Sequence, residues 1–231
     1  MPLASEDPLT YLPRKPLQEY AKGSEIYDLR HANEHLYVVI RGLVKVSNAD
    51  HNGYQTIGRI VATEGLFGES CLIGAVGRSE WAVALDHTAL MSWSSAEVVQ
   101  HIEREPRLGV ALSQFLIRQC LKMEDRIESM AVHKTPERIM LALLQLAADF
   151  GVPTADDQVR VVALTHHTIA EFVGTSREIV TFQLNRLRRA GLIRYSRQYL
   201  DINVDAMERQ LREKSARIPM RTEGPARGAA G

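Results

Sequence analysis

Between residues 174 and 193 the chain reads GTSREIVTFQLNRLRRAGLI. A guanidinium and a carboxylate, Arg177 and Glu178, open a helical pattern that goes on to carry Arg186, Arg188 and Arg189. The pair suits the edges of bases: a guanidinium donates two parallel hydrogen bonds, as guanine accepts them, and a carboxylate accepts from the cytosine amino group. Phe182 offers an apolar face for a thymine methyl. The later arginines, with Arg194 and Arg197 beyond them, suit phosphate oxygens, which fix position without reporting sequence. Thr165, His166, Thr175, Ser176 and Thr181 are the other polar side chains expected at such a surface. From 176 to 197 there are six arginines and one acid, Glu178. A solvated charged face is the ordinary account of such a run, so the case rests on what positions it.

Two short helical patterns position it, in LTHHTIAEFVGTSREIVTFQL. Ile169, Ala170 and Val173 are expected inward in the first, and Ile179, Val180 and Leu184 in the second. Ala170 is small where the helices would touch, Gly174 can take the positive φ of a tight turn, and Val180 closes the wedge between them. That Ala, Gly, Val spacing is the pattern of a helix-turn-helix. Thr175 and Glu178 have the S/T-x-x-E spacing of a capping box, which predicts a second helix from about Ser176. AGLIRYSRQYLDINV then reads as two short strands around Ser196 to Gln198, a wing beside the helix.

The rest of the chain is organised differently. At 231 residues two domains are expected, and a formal net charge of zero means that any nucleic-acid surface must be local. Only Cys71 and Cys120 are present, without a CxxC, against a disulfide framework, a structural zinc site or an iron–sulfur cluster. No apolar run reaches membrane-spanning length and no leader stands at the N-terminus, which predicts a soluble cytoplasmic protein without a membrane partner. From about Glu25 to Trp93, short alternating runs punctuated by Gly42 and Asn52-Gly53 predict a compact antiparallel β-roll or barrel. Pro106 is placed to open a helix. Its Leu112, Leu116, Cys120, Met123, Ile127 and Met130 form one narrow stripe, suited either to packing on its own domain or to a partner helix in a dimer. Thr135-Pro136 breaks that helix, and another runs to Gly151. The expected division is a sensing roll over 1–104, a dimerisation helix over 105–133, the winged reader over 134–212 and a disordered tail over 213–231.

From about Leu17 to Arg212 the sequence resembles the Crp/Fnr family of bacterial transcription regulators. HLYVVIRGLVKV is similar to the family's sensor strand and turn, FGES followed by RSEWAVAL to its phosphate-binding cassette, and GTSREIV to its recognition helix. The resemblance implies an α+β fold: an N-terminal antiparallel roll of the cyclic-nucleotide-binding kind, a long dimerisation helix and a C-terminal winged helix-turn-helix. It also implies a homodimer on a palindromic site in double-stranded DNA, modulated by a small effector, with RNA polymerase as a further partner. The sequence departs from the family outside the effector site as well. The glycine usual before the first long strand is replaced near Arg30, the cysteine set of the oxygen-sensing branch is missing, and Phe182 stands where an arginine is usual.

The resemblance also assigns an effector site. Gly68, Glu69, Ser70, Arg78 and Ser79 have the cassette's spacing, in which a backbone N–H and the Arg78 guanidinium hold a cyclic phosphate, Ser79 its oxygens and Glu69 a ribose hydroxyl. Met123 and Glu124 stand where relatives answering to cyclic AMP place hydroxyl residues, and the Glu124 carboxylate can accept from the N1–H and amino group of guanine. Cyclic AMP and cyclic GMP are therefore the nucleotides to consider. A different effector stays open, as does an empty pocket in which Glu69 and Arg78 pair with each other. Glu80 sets an acid beside a site meant for an anion. The eight histidines show no metal-site spacing, no haem ligand stands out, and no catalytic constellation supports a dioxygenase of the cupin type.

Overall fold

The computed structural model describes residues 6–29, 33–49, 55–74 and 80–215. Among these, eight strands precede the first α-helix: β1 (Gln18–Tyr20), β2 (Glu25–Tyr27), β3 (His35–Arg41), β4 (Leu43–Ala49), β5 (Gln55–Ala62), β6 (Leu66–Phe67), β7 (Glu80–Ala84) and β8 (Thr88–Ser94). They pair antiparallel in two four-stranded sheets, ordered β1-β8-β3-β6 and β2-β7-β4-β5. Strand β3 is continuously apolar because both its faces are covered. Leu36 and Val38 pack outward on Trp93, Val98, Leu108 and Leu112, while Tyr37 and Val39 face the interior with Val44, Val46, Phe67 and Leu90. Gly42 joins β3 to β4, as expected, at a φ of 97°. The expected Asn52-Gly53 turn lies outside the described residues.

The Ser94 hydroxyl and Glu97 close a capping box on α1 (Ser95–Arg104). Pro106 then opens α2 (Pro106–Val132), a helix about 40 Å long at 1.5 Å per residue. Only its first turns are buried, at Leu108, Ala111 and Leu112. The C-terminal part begins with α3 (Thr135–Phe150), capped at Gly151. There follow β9 (Val152–Pro153), β10 (Val159–Val162), α4 (His166–Val173), α5 (Arg177–Arg189), β11 (Ile193–Tyr195), β12 (Tyr199–Ile202) and α6 (Val204–Ser215). Its four strands form one sheet, β11-β12-β10-β9. Residues 213–215, expected to begin a disordered tail, instead complete α6, and 216–231 lie outside the described residues.

The fold class is the expected α+β. One apolar cluster joins Met140 and Leu143 of α3, Ile169 of α4, Val180, Leu184 and Leu187 of α5 and Ile202 of the wing, and it continues into the roll through Leu43, Ile57 and Ile60. Polar bonds cross the same boundary. Lys45 on β4 meets Glu171 on α4 at 3.2 Å, and Arg126 on α2 donates to the Gly58 and Phe172 carbonyls while lying 4.9 Å over the Phe172 ring. No described helix is long and apolar enough to cross a membrane.

Candidate nucleic-acid interface and effector pocket

Helices α4 and α5 meet through Ala170 and Val180, both buried. Between them Gly174 takes φ 72° and its N–H closes α4 on the Ala170 carbonyl. A Cβ at Gly174 would find nothing within 4 Å, so the turn requires the left-handed backbone rather than space. The capping box expected from Thr175 and Glu178 is not formed. Ser176 is the N-cap, its hydroxyl oxygen accepting from the Ile179 N–H at 3.3 Å, because the Thr175 N–H is drawn into the turn toward Ala170.

The buried row of α5 is Val180, Gln183, Leu184 and Leu187, at steps of three, one and three. Ile179, expected inward, lies about 100° from Val180 around the helix and is 45% exposed. Arg177, Glu178, Phe182, Arg186, Arg188 and Arg189 are exposed as well. Among the described residues none of these four arginines has a side-chain hydrogen bond or ion pair, so their donors are uncommitted. The Glu178 carboxyl is held below its usual range by its own backbone N–H and the Ser176 hydroxyl, with Arg177 adding to this, and it stays an ionised acceptor.

Several expected contacts are already committed within the domain. Thr165 is the N-cap of α4, accepting from the Thr168 N–H at 3.0 Å. The Thr181 hydroxyl donates to the Arg177 carbonyl at 2.8 Å, so the His166 Nδ1, 2.8 Å from the same oxygen, is the donor in that second contact. The His166 ring also stands edge-on to Tyr195 of the wing, with centroids 5.7 Å apart, and Tyr195 bonds the Leu164 carbonyl. His166 thus ties α4, α5 and the wing together. Burial first, and Arg177 second, lower its pKa, which keeps the ring neutral. Arg194, expected at phosphate, is paired with Asp156 at 2.8 Å and with Gln158, on the exposed surface. Arg197 is exposed at the wing.

In the roll, Gly68 has φ 81° and a Cβ there would lie 2.5 Å from the His35 carbonyl oxygen, so only glycine fits. Glu69 and Ser70 follow on a short 3-10 turn. Arg78 and Ser79 lie outside the described residues. Glu69 does have an arginine partner, which is Arg59 of β5, whose one Nη2 donates to both carboxylate oxygens at 2.6 and 2.7 Å with both side chains 20% exposed. Glu80 is also engaged, accepting from the Tyr27 hydroxyl at 2.6 Å and facing the Ser70 hydroxyl at 3.3 Å. Tyr27, Tyr37 and Phe67 stack beside these groups, with centroids 5.0 to 6.3 Å apart. Burial and the Glu80 charge push the Tyr27 phenol far above its ordinary range, and burial pushes Tyr37 up to about 12. Burial likewise raises the Cys71 thiol to about 11, which makes it inert as a nucleophile. Met123 borders a cavity of about 150 Å³ between β5, α2 and α3, and Glu124 is exposed on α2.

The stripe on α2 divides. Leu112 is buried in its own domain, while Leu116, Cys120, Met123, Ile127 and Met130 are exposed. Ile117 and Leu121 widen it into a broader apolar face. Among the described residues no group of three His, Cys, Asp or Glu side chains could hold a metal ion.

Two family models match the chain: a cyclic nucleotide-binding domain over residues 17–105 and a Crp-like helix-turn-helix domain over residues 137–210. The global nitrogen regulator of a Synechocystis species is 30% identical over 173 residues, 74% of this chain and 76% of that protein. The cyclic AMP receptor protein of Thermus thermophilus is 26% identical over 175 residues, 76% of this chain and 78% of that one. Among solved structures, a CRP/FNR-family transcriptional regulator from Thermus thermophilus matches with a TM-score of 0.67 at 27% identity, over 86% of this chain and 98% of that one.

The chain belongs to the Crp/Fnr family. It is a DNA-binding transcription regulator that carries a cyclic-nucleotide-binding domain and a Crp-like helix-turn-helix. In this Crp/Fnr chain Arg59 and Tyr27 were not singled out from the sequence, and Ile179 was placed inward rather than outward. A charged residue inside the apolar run QTIGRIVA signals an inward partner for Arg59, although the sequence does not say which one. Ile179 was legible as the residue just before the Val180, Leu184, Leu187 row.

Proposed function

We propose that this regulator acts as a homodimer that binds a palindromic site on double-stranded DNA through α5, with its roll sensing a small effector. The observation that carries the reading is the outer face of α5: uncommitted guanidiniums on a helix whose N-terminal turn also presents an ionised carboxylate. Arg177 donates to guanine and Glu178 accepts from a cytosine amino group, while Arg186, Arg188 and Arg189 engage phosphates. Ser176, Thr175 and Thr181 flank that contact. Thr165 and His166 lie at the N-terminus of α4, where the backbone favours a phosphate. The dimer forms along α2 through Leu116, Met123, Ile127 and Met130, setting two readers about 34 Å apart on successive turns of the duplex. We divide the chain into a sensing roll, a dimerisation helix and a reader over 134–212. RNA polymerase is the further partner, and the cytoplasm the site of action.

Cyclic AMP or cyclic GMP is the effector this reading favours, supported by the domain match and by relatives described as cyclic AMP-activated. Arg78 and Ser79 then hold the phosphate with the Gly68 and Ser70 backbone, and Glu69 holds a ribose hydroxyl. Met123 and Glu124 bear on the base. The effector acts by binding one arrangement of the reader more tightly than the other. Arg126 and the Lys45–Glu171 pair are the bonds through which such a change reaches α4.

A second reading, a ligand-independent regulator with a vestigial pocket, is favoured by the Arg59–Glu69 and Tyr27–Glu80 bonds, which leave those groups satisfied without ligand. Titration of an operator duplex with and without each nucleotide separates the two. A shift in DNA affinity that is lost in Arg78→Ala supports the sensor, and identical isotherms support the vestigial pocket.

A further inference from the structure

The outer face of α5 presents two large apolar side chains, and the polar chemistry of the reader makes no use of them. Ile179 is 45% exposed and Phe182 is 71% exposed. They stand three residues apart, so they are neighbours on one helix face with Cβ atoms about 5–6 Å apart. Among the described residues the Phe182 ring has no ring or cation partner, whereas the exposed Tyr199 of the wing is covered by the Arg160 guanidinium at 4.9 Å. Along the helix the patch lies between Glu178 and Arg186, with a single acid among the six arginines of 176–197. A surface ringed by this charge is complementary to a polyanion. On the floor of the major groove the apolar group that such a patch can meet is a C5 methyl. Three helical residues advance about 4.5 Å, between one and two base steps of 3.4 Å, so the two side chains reach neighbouring base pairs.

We propose that Ile179 and Phe182 together form a methyl reader, which packs on the C5 methyls of two thymines at neighbouring positions of each half-site, beside the base pairs contacted by Arg177 and Glu178. The proposal rests on the reading of α5 as the recognition helix, and it adds Ile179 as a specificity-determining residue. It has a chemical consequence that hydrogen-bond readout lacks. Recognition at these two positions depends on the methyl group rather than on the O4 acceptor beside it. Uracil, which keeps every hydrogen-bonding atom of thymine, is therefore rejected there. 5-Methylcytosine is preferred to cytosine at the same positions, because the apolar surfaces do not test the neighbouring amino group.

The test uses the full-length protein and a site recovered by selection from random duplexes. Each thymine of the half-site is replaced singly by deoxyuridine and binding is compared at fixed salt. Loss of one methyl contact is expected to weaken wild-type binding by about fourfold at each of two neighbouring positions, with little effect elsewhere. Phe182→Ala removes the sensitivity at one position and Ile179→Ala at the other. Both sites are exposed, so neither change disturbs the core, and a thermal melt beside each titration verifies this. Uniform wild-type affinity across the uracil series overturns the methyl reader while leaving α5 as the recognition helix. The same follows if both sensitivities persist in the two variants, or if Phe182→Ala alters protein contacts and not uracil sensitivity. Selection that returns no motif removes the recognition-helix reading and this proposal with it.

Discussion

The reader and the roll both carry arginines beside carboxylates, and they use them in opposite ways. On α5 the guanidiniums point outward without a protein partner, and the one acid among them stays ionised on its own backbone and Ser176. In the roll Arg59 grips Glu69 with two bonds, and Glu80 takes the Tyr27 hydroxyl. Uncommitted exposed charge costs the fold little and is available to a partner, whereas charge turned inward must be paired to be tolerated. On the proposed reading, a ligand using Glu69 or Glu80 would have to replace bonds that the protein already makes, while DNA at α5 would displace only water and counterions.

Disrupting the apolar support of the reader should have the largest effect. Val180→Asp places a carboxylate at the fully buried contact between α4 and α5, and should cost about 4 kcal/mol or more with loss of DNA binding, read from denaturant midpoints and a gel-shift titration. Next is the inward pair of the roll. Arg59→Ala leaves Glu69 largely buried without its cation and should destabilise by about 1–3 kcal/mol, and Arg59→Ala with Glu69→Gln should recover much of that loss. A single variant as stable as wild type would show that the pair contributes nothing.

These two regions also differ in how much of them the sequence disclosed. The helix-turn-helix was legible because its determinants are local: Ala170, Gly174 and Val180 act through spacing along one stretch of chain. Even there, the choice of Ser176 over Thr175 as cap depended on where the turn drew one N–H, and Ile179 was turned out by one residue of helical phase. In the roll, the strands and Gly42 could be read from alternation and turn chemistry. The Arg59 partner of Glu69 could not, because the bond joins β5 to the turn after β6 and depends on how the sheet folds. The bent use of α2, with Leu112 buried and Met123 exposed, likewise depends on where the roll ends against the helix rather than on the heptad-like spacing itself.

Two smaller effects sharpen the comparison. Arg188→Ala removes one uncommitted cation and should weaken binding to all duplexes alike, lowering the slope of log K against log salt by about 0.9 without altering base preference. A changed base preference would move Arg188 from phosphate to base readout. His166 is a half-buried titratable group of the reader, held between α4, α5 and the wing. Its folded pKa lies below the unfolded value of about 6.5, so below that pH the unfolded state binds more protons and stability falls as pH decreases. Wild type should lose more thermal stability than His166→Gln between pH 7.5 and 5.5, and equal losses would show that the ring is not held neutral by its surroundings.

On the proposed reading, Arg177 contacts a base in each half-site of a twofold site. Selection of binding sites from random duplexes by wild type and by Arg177→Ala tests it most directly. Wild type should return an inverted repeat with half-sites about one helical turn apart, and the variant should lose preference at one position of each half-site. The same motif recovered from both proteins, or a wild-type motif without twofold symmetry, would contradict it.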